Sequence, residues 1–516
     1  MITKSDPDAI RPYLEDASGM RGGRADRVYI PGDEAEAAVL LAACAARGEP
    51  LTLSGAGTGL TGARVPLSGS VLATDALGGI RVLQALPGGR GVAVVGPAVS
   101  LADLDASAGR LGLFYAVDPT EQSAWIGGTV ATNASGSRTF RYGPTRRHVT
   151  RLRIALTSGD VVELPRGRCR ASADGSFLLP LSGGRGIRGR LPTYSMPAVK
   201  NASGFYAAPG MDLVDLIIGS EGTLGLVTEI ELALLQAPWG VLAGIVFFTS
   251  EEGSWSFLRG ARERSYRSRG FDGPAPTDPG EAGASAPAGS TTGIDARALE
   301  YFDAASLDFM RPHHAVIPAR AKGAIYFEQE TSEATEEKLQ EGWLALAEAH
   351  GALVDDSWFA VTEKDRRSFR EFRHALPLGI NEWLARHGQR KIGADMAVSD
   401  RAFDAMFRVY RETLNPSGLA WLAFGHLGDN HLHVNILPRD DAEAERGRAI
   451  YRTLVERIVA LGGTVSAEHG LGKIKALYLA AMYGEGVFRE MTALKRAFDP
   501  ALILGRGNMI PEDRLR

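Results

Sequence analysis

The sequence predicts an α+β protein of two domains, and three observations support this prediction. The chain has 516 residues, which is more than one ordinary domain holds. Up to about residue 235, short strand-like runs alternate with helical patterns. From about residue 240 a second series of such patterns begins, and a Pro-, Gly-, Ala- and Ser-rich stretch at 268–293 interrupts it.

The first series contains two predicted helices and several short strands. Residues 34–48 form an amphipathic pattern that ends at a glycine, as helices often do. "SLADLDASAGRLGLF" has a helical period as well. The strand-like runs are "PLTLSG", "SVLAT", "GVAVVG" and "LRIALTSGDVVEL".

The second series opens with the strand "GVLAGIVFF" and contains helix candidates at 333–350 and 400–414. The stretch 268–293 has almost no large apolar side chain, which is typical of a flexible surface insertion or linker. We assign it no chemistry.

Composition and charge exclude several classes of protein. The net charge of -4 argues against a nucleic-acid binder, which normally has a basic face. Cys44 and Cys169 lie far apart, which excludes a disulfide framework and favours a reducing compartment. "MITKSDPDAIRPYLED" has no apolar segment, and "VLAGIVFF" is too short to span a bilayer. We therefore expect no secretory signal and a cytoplasmic protein, with peripheral attachment to a membrane as the alternative.

A glycine-rich loop, "LSGAGTGLTG" at 53–62, follows the predicted strand "PLTLSG". Glycines let the backbone approach a ligand, and consecutive N–H groups can bind phosphate oxygens. The loop contains G-x-G-x-x-G, but the following "ARVPLSG" does not begin a helix, which disfavours a Rossmann site. The lysine of a P-loop is missing as well. A tight loop without a ligand is the alternative.

Two further loops are rich in glycine and small polar residues. They are "DPTEQSAWIGGTVATNASGSRTFRYG" at 118–143 and "IGSEGTLGLVTEIEL" at 218–232. Three such loops in one domain can surround a single long ligand. Their amides would contact a pyrophosphate, and their small residues would lie against a flat ring.

These three motifs, in this order, resemble the PCMH-type FAD-binding domain of the vanillyl-alcohol oxidase superfamily. The similarity is to the branch that holds D-lactate dehydrogenases, glycolate-oxidase flavin subunits and D-2-hydroxyglutarate dehydrogenases. It implies a two-domain flavoprotein with an FAD-binding domain at 28–235. An α+β cap domain built on an antiparallel sheet is implied at 240–480. A C-terminal segment, 481–516, is implied to return to the FAD domain.

The resemblance assigns residues of all three loops, and one residue near the C-terminus, to FAD. In some members of the superfamily a histidine near the first loop attaches FAD covalently. No histidine precedes residue 148 here, so we expect noncovalent FAD. The motif "NPGK" of the family is replaced by "GRGN" at 505–508. The residues implied to bind FAD are Ser54, Gly55, Ala56, Gly57, Thr58, Gly59, Pro119, Thr120, Gly127, Gly128, Thr132, Asn133, Ser135, Gly136, Glu221, Gly222, Val227 and Asn508.

A histidine cluster occupies "WLAFGHLGDNHLHVNI", at 421–436. "LAWLAFGH" and "HLHVNIL" are strand-like and are joined by the turn residues "LGDN", so a hairpin is predicted. His426 ends the first strand, and His431, His433 and Asn435 share one face of the second. Partly exposed turn histidines without a ligand are the alternative.

A carboxylate and another histidine follow in "GGTVSAEHGLGKIKALYL", at 462–479. A short strand, "GTVS", is predicted to deliver Glu468 and His469 just before a helix. Two histidines and one carboxylate with open positions are typical of a catalytic metal.

The cluster also resembles the same family, whose signatures "GHxGDGNxH" and "EHG" match "GHLGDNHLH" and "AEHG". The resemblance implies that His426, His433 and Glu468 bind a divalent metal, Zn²⁺ or Mn²⁺, and that His469 is the catalytic base. We place Asn435 among the catalytic residues. His431 departs from the family pattern, and its role stays open between an extra ligand, a group that supports the ligands and a surface residue.

A cation is needed to bind the carboxylate of a hydroxy-acid substrate. Arg373 and Lys391 resemble family positions with this role, and an arginine can bind a carboxylate through two parallel hydrogen bonds. Arg366, Arg367 and Arg370 compete for the role, since "DRRSFREFRH" also has the pattern of a solvated helix face.

The predicted activity is the FAD-dependent oxidation of a small D-2-hydroxy acid, D-lactate or glycolate, to the 2-oxo acid. D-2-hydroxyglutarate is the alternative substrate, because a spare arginine could bind its second carboxylate. An alkyl-glycerone-phosphate synthase-like transferase and a zinc hydrolase are rival classes. The predicted partners are the hydroxy acid and an electron acceptor, which could be a quinone, a cytochrome, an electron-transfer flavoprotein or an iron–sulfur subunit. A homodimer stays open.

Overall fold

The computed structural model of the protein describes residues 1–271, 293–360 and 362–515. Helices and strands are mixed throughout these ranges, so the predicted α+β class is confirmed. Most of the stretch predicted as a flexible insertion, residues 272–292, lies outside the described residues. Within the described ranges, every helix is too short or too polar to span a bilayer.

The first sheet in the described part of the chain has the strand order β1-β2-β4-β3. Its strands are β1 (Ile2–Lys4), β2 (Arg27–Ile30), β3 (Leu51–Ser54) and β4 (Ser70–Ala73). Helix α2 (Glu34–Arg47) crosses over between β2 and β3, so these two strands run in the same direction. Strand β4 lies between them and pairs in parallel with both. This helix begins at the N-cap Asp33 and ends at Gly48, whose φ is 61°, as the sequence predicted.

The second sheet has the order β5-β6-β12-β8-β9 among the described residues, and β7 also pairs with β12. Side chains of β12 are buried at every second residue, which is typical of a strand with one face on the core. A separate hairpin is formed by β10 and β11. The strands are β5 (Ile80–Leu86), β6 (Arg90–Val95), β7 (Leu113–Phe114), β8 (Val149–Ala155), β9 (Val161–Pro165), β10 (Ser176–Pro180), β11 (Gly186–Arg190) and β12 (Leu226–Gln236).

The third sheet is antiparallel in the described residues, with the order β16-β13-β15-β14-β18-β19-β17. The predicted histidine hairpin is confirmed, since β18 and β19 pair through a tight turn at 426–430. The strands are β13 (Gly240–Phe248), β14 (Ala296–Asp303), β15 (Gly323–Thr331), β16 (Trp358–Phe359), β17 (Ile392–Ala397), β18 (Ala420–Gly425) and β19 (His431–Leu437).

Helices cover both faces of the third sheet. Helices α7, α9, α11 and α12 pack on one face, and α8 and α10 pack on part of the other. The helices are α1 (Pro7–Ile10), α2, α3 (Leu101–Gly109), α4 (Ile126–Thr132), α5 (Thr139–Tyr142), α6 (Val214–Ile217), α7 (Glu251–Ser268), α8 (Ala304–Met310), α9 (Glu336–Ala349), α10 (Glu363–Arg386), α11 (Phe403–Leu414), α12 (Asp441–Ala460), α13 (Leu479–Tyr483) and α14 (Val487–Phe498).

The register of the third sheet gathers polar side chains on the face that α8 and α10 leave uncovered. Asp395 pairs with His433 across β17 and β19, and residues that are paired directly in an antiparallel sheet point to the same side. Phe424 of β18 also pairs with His433. By the same register, Glu300 of β14 pairs with Tyr326 of β15. The face therefore carries buried ionisable groups from three strands.

The segments after the third sheet return to the first half of the chain. Leu504 forms a bridge with Leu51 of β3. The predicted strand "GTVS" is wrong, because Ser466 forms only a single bridge, with Asp395. The Asp395 carboxylate accepts hydrogen bonds from the Ser466 hydroxyl and from the backbone N–H of His469. These bonds hold residues 466–469 against the Asp395 side chain, so the segment does not continue as a strand.

Candidate active site

One cavity of about 790 Å³ lies between the glycine-rich loops and the polar face of the third sheet. Residues of all three loops line it, together with His426, His433, Glu468 and His469. The fold therefore brings together motifs that are separated by several hundred residues in the sequence.

The first loop leaves β3 and lines the cavity from Ser54 through Gly59, the residues that the resemblance assigned to FAD. No helix follows it, because the chain continues as an irregular loop to β4. The Arg64 Nε atom donates to the Ser54 hydroxyl over 2.6 Å and fixes the start of the loop. Gly57 has a φ of 85°, a conformation that favours glycine.

The second loop supplies most, but not all, of its predicted residues. The side chain of Asn133 instead accepts a hydrogen bond from the Arg146 N–H over 2.9 Å, and Asn133 does not line the cavity. Gly136 lies behind the loop as well, where an added Cβ atom would be 1.9 Å from the Asp118 carbonyl oxygen. The predicted residues of this loop that line the cavity are Pro119, Thr120, Gly127, Gly128, Thr132 and Ser135.

The third loop lines the cavity with Glu221, Gly222 and Val227. The Glu221 carboxylate accepts hydrogen bonds from the N–H groups of Leu471 and Gly472 over 2.6 and 2.7 Å. Burial raises the pKa of Glu221 to about 7. This carboxylate joins the third loop to the segment that carries His469.

Asn508 does not line the cavity, contrary to the prediction. Its amide donates to the carbonyl oxygens of Ala63 and Glu221, and its side-chain oxygen accepts from Lys473 over 2.7 Å. Asn508 therefore ties the ends of two loops together from behind and does not face a ligand.

The residues present fit a long flat ligand such as FAD. The walls are formed by backbone and small side chains of the three loops. The hydroxyl of Ser135 lines this space, is buried, and has no hydrogen-bond partner among the described residues. Because a buried polar group without a partner is costly, this hydroxyl indicates a bound polar group.

The histidine cluster lies at the other end of the cavity. One donor atom from each of His426, His431, His433 and Glu468 lies within 4.8 Å of every other. The His426 Nε2 atom is 3.0 Å from a Glu468 oxygen, and His431 Nδ1 is 3.6 Å from the same oxygen. All three histidines are buried, so the alternative of partly exposed turn histidines is wrong.

The donor set fits a divalent cation. The Nδ1 atoms of His431 and His433 are buried and have no hydrogen-bond partner among the described residues. Burial lowers the pKa of both imidazoles, to about 4 for His431, so both are neutral at pH 7, as a metal ligand must be. Imidazole nitrogens with one carboxylate are typical ligands of Zn²⁺.

Two carboxylates that the sequence did not point to orient the histidines. Glu300 accepts from His426 Nδ1 over 2.6 Å, and Asp395 accepts from His431 Nε2 over 2.7 Å. Although burial opposes it, the charges of Arg373 and His426 lower the pKa of Glu300 to about 2. Glu300 lies in the middle of the buried strand "ARALEYFD", and Asp395 lies in the middle of "IGADMA". An acidic residue in the middle of such a run is the signal that could have identified them.

The ammonium of Lys200 also enters the cluster, and its Nζ atom lies 3.2 Å from the same Glu468 oxygen. No feature of the sequence around Lys200 predicted this contact with Glu468. The His426 Nε2 atom is 3.0 Å from this oxygen, and although burial opposes it, the charge of Glu300 raises the pKa of His426 to about 9. Lys200 and His426 therefore both place positive charge beside Glu468.

His469 lines the cavity beside the cluster. Its Nδ1 atom is 3.3 Å from an Asp395 oxygen, and its ring stacks on His433 with the centroids 5.1 Å apart. Burial lowers the pKa of His469 to about 4, although the charge of Asp395 opposes this. The imidazole is therefore neutral at pH 7, and with Nδ1 directed to Asp395 its Nε2 atom is left to accept a proton.

Arg373 and Lys391 line the cavity, whereas Arg366, Arg367 and Arg370 do not. The Nε atom of Arg373 donates to Glu300 over 2.9 Å, which links this arginine to His426. Burial lowers the pKa of Lys391 to about 8.

Asn435 is fully buried on the face that carries His433, but it does not line the cavity. Its amide donates to the carbonyl oxygen of His433 over 3.3 Å. Asn435, which the sequence placed among the catalytic residues, therefore does not contact the space where a substrate would bind.

Loops built to hold a flavin, together with a cluster of histidines and acids across the same cavity, define a flavin-dependent oxidoreductase. Family comparisons agree with this class. Residues 25–165 match the family "FAD binding domain", and residues 277–509 match "FAD linked oxidases, C-terminal domain". The chain therefore carries both of these domains, in this order.

Several characterised relatives are similar over nearly the whole chain. "Glycolate oxidase subunit GlcD" of Bacillus subtilis (strain 168) is 25% identical over 97% of this chain and 92% of its own. "D-lactate dehydrogenase" of Archaeoglobus fulgidus is 26% identical over 94% of this chain and 91% of its own. "D-2-hydroxyglutarate dehydrogenase" of Xanthomonas citri pv. viticola is 26% identical over 98% of this chain and 93% of its own.

A solved structure of an alkyldihydroxyacetonephosphate synthase has a similar fold. It superposes with a TM-score of 0.65 at 15% sequence identity and covers 98% of this chain and 81% of its own. At this identity the likeness shows the fold alone.

Proposed function

We propose that the protein is an FAD-dependent dehydrogenase that oxidises a small D-2-hydroxy acid, D-lactate or glycolate, to the 2-oxo acid. The observation that carries this proposal is the single cavity shared by the three glycine-rich loops, His469 and the metal-type cluster. The names of the relatives support the substrate class. We assign FAD binding to residues 28–235, the cap to 240–480 and the returning segment to 481–516.

The residues of the cap would bind and orient the acid. Arg373 and Lys391 would hold its carboxylate, because both cations line the cavity. The link between Arg373 and Glu300 would fix the bound acid relative to His426. Bound noncovalently, FAD supplies the acceptor for a hydride from C2 of the acid.

His426, His433 and Glu468 would hold Zn²⁺ or Mn²⁺. A divalent cation there supplies positive charge that lowers the pKa of the hydroxyl group. His469 would accept the hydroxyl proton at Nε2, while Asp395 holds the ring through Nδ1.

The test is anaerobic reduction of bound FAD by a panel of hydroxy acids. We expect D-lactate or glycolate to bleach the flavin absorbance and L-lactate to leave it unchanged. A preparation without FAD would favour a zinc hydrolase. Flavin that no 2-hydroxy acid reduces would favour a transferase without net oxidation.

D-2-hydroxyglutarate is a second candidate substrate, and Arg390 is the observation that favours it. This arginine lines the cavity next to Lys391 and could bind a second carboxylate. If so, Arg390→Gln should lower kcat/KM for D-2-hydroxyglutarate by about 10- to 100-fold and leave D-lactate oxidation unchanged. The electron acceptor would be a quinone, a cytochrome, an electron-transfer flavoprotein or an iron–sulfur subunit.

A further inference from the structure

We propose that His431 is a fourth protein ligand of the metal, positioned by Asp395, so that this chain has a three-histidine, one-carboxylate site. The inference rests on the proposed metal site, which His426, His433 and Glu468 define without His431. His431 stands where the family pattern has asparagine, so the extra ligand would be a property of this chain.

The hydrogen bond to Asp395 determines which nitrogen of His431 is free. His431 is fully buried, and its Nε2 atom lies 2.7 Å from an Asp395 oxygen. The same carboxylate accepts from the Ser466 hydroxyl over 2.6 Å and from the Lys475 ammonium over 3.1 Å. A carboxylate surrounded by donors acts as the acceptor, so Nε2 carries the proton. The Nδ1 lone pair is then free and faces the cluster.

The distances around Nδ1 suit a ligand. Metal–nitrogen and metal–oxygen bonds of about 2.1 Å place neighbouring ligand atoms roughly 3.0 to 3.4 Å apart, from octahedral to tetrahedral geometry. His426 Nε2 is 3.0 Å from the Glu468 oxygen, which is within this range. His431 Nδ1 is 3.6 Å from the same oxygen, about 0.2 Å beyond the upper end, so a small shift of either side chain would bring Nδ1 to a ligand's distance. The ring of His431 is also 4.6 Å from that of His433, centroid to centroid.

His431 and His426 have the same arrangement. Glu300 binds one nitrogen of His426, and its other nitrogen faces Glu468. Asp395 binds one nitrogen of His431, and its other nitrogen faces the same Glu468 oxygen. A carboxylate behind each imidazole is the usual arrangement of metal-bound histidine, because it fixes the tautomer and the ring orientation.

A purely structural histidine would leave no atom unsatisfied. His431 Nδ1 is buried without a hydrogen-bond partner among the described residues. Asp395 does not need His431 for charge balance, since it also binds Lys475 over 3.1 Å and the Ser466 hydroxyl over 2.6 Å. A metal ion would satisfy His431 Nδ1, as it would the unpaired Nδ1 atom of His433.

The test measures Zn²⁺ binding to the FAD-loaded protein after removal of metal by a chelator. The Kd comes from competition with a fluorescent chelator, and X-ray absorption at the zinc edge counts the imidazole ligands. We expect three imidazoles in the wild type and two in His431→Asn. We also expect the Kd of His431→Asn to rise by more than about 100-fold, and that of Asp395→Asn by about 10- to 100-fold.

Two variants separate this inference from the proposed metal site. His426→Asn should lose Zn²⁺ whether or not His431 is a ligand, and His350→Asn, at the protein surface beside Ser256, should leave the Kd unchanged. Retained FAD absorbance is the control for folding, and His431→Gln is the second variant if His431→Asn fails to fold. Two imidazoles in the wild type with an unchanged Kd in the His431 variants would overturn the inference alone. No Zn²⁺ bound to the wild type would overturn the metal site as well.

Discussion

The two ends of the cavity are built by opposite means. The FAD end is lined by loop backbone and small residues such as Gly57 and Ser135, while the cap end is lined by ionisable side chains on strands. At the first end the requirement is conformational, because positive φ angles and close contacts demand glycine. At the second end it is electrostatic, because every buried charge needs a partner.

Because the two ends depend on different kinds of contact, a substitution at one end should leave binding at the other end unchanged. A loop substitution should weaken FAD binding and leave the cap cluster intact, since the contacts of Glu300 and Asp395 with the histidines lie within the cap. A cap substitution should stop chemistry and leave FAD bound.

Removal of a cap ligand should have the largest effect. His426→Asn removes a donor and leaves Glu300 without its imidazole partner, so kcat/KM for D-lactate should fall by about 10³-fold or more. FAD content per chain, measured by absorbance after denaturation, should equal that of the wild type. Loss of FAD together with activity would show that the two ends of the cavity are not independent.

A loop substitution should produce the reverse pattern. In Gly136→Ala the new Cβ atom would lie 1.9 Å from the Asp118 carbonyl oxygen, so the two ends of the second loop must separate. The Kd of FAD, measured by reconstitution of the apoprotein, should rise by about 10- to 100-fold. Zn²⁺ affinity should not change. Gly109→Ala, whose Cβ atom would meet nothing within 4 Å, is the matched control.

Lys200 offers a smaller test within the cap end. Its ammonium, 3.2 Å from Glu468, competes with a cation for the carboxylate, so Lys200→Met should tighten Zn²⁺ binding by about tenfold. Lys200→Arg keeps the charge and should remain near the wild type. Weaker Zn²⁺ binding in Lys200→Met would instead mean that the lysine holds Glu468 in place for the metal.

The smallest effect at neutral pH concerns Lys391. Its pKa is lowered to about 8 by burial, so the charged form that binds a carboxylate is present below pH 8 and is lost as the pH rises. Thus kcat/KM for D-lactate should fall above pH 8, by about tenfold at pH 9. Lys391→Arg should move this decline to higher pH. A profile that is the same in both proteins would exclude Lys391 from substrate binding.

The sequence pointed to the loops and to the histidines but not to the carboxylates that orient those histidines, for a physical reason. Loop contacts are local, so consecutive residues such as Ser54 to Gly59 line the cavity as one motif. Sheet contacts are not local, so Glu300 and Asp395 lie 126 and 36 residues from the histidines they orient. Neither of the strands that carry them was predicted from the sequence, and periodicity does not show which strand lies beside which.

The misplaced residues have a common cause. Asn133 and Asn508 occur inside motifs whose neighbours line the cavity, yet their amides bind backbone groups behind the loops. Asn435 shares a sheet face with His433 but lies deeper than the cavity wall. A motif identifies which loop forms a site, while the direction of each side chain depends on tertiary packing.

The central claim is that the flavin loops and the cap cluster act on one bound acid. Its most direct test is the single-turnover rate of flavin reduction by D-lactate, under anaerobic conditions, in metal-depleted and Zn²⁺- or Mn²⁺-reloaded protein with equal FAD content. We predict a rate about 10³-fold lower without metal and restored by reloading. An equal rate in the depleted and reloaded proteins would contradict the claim.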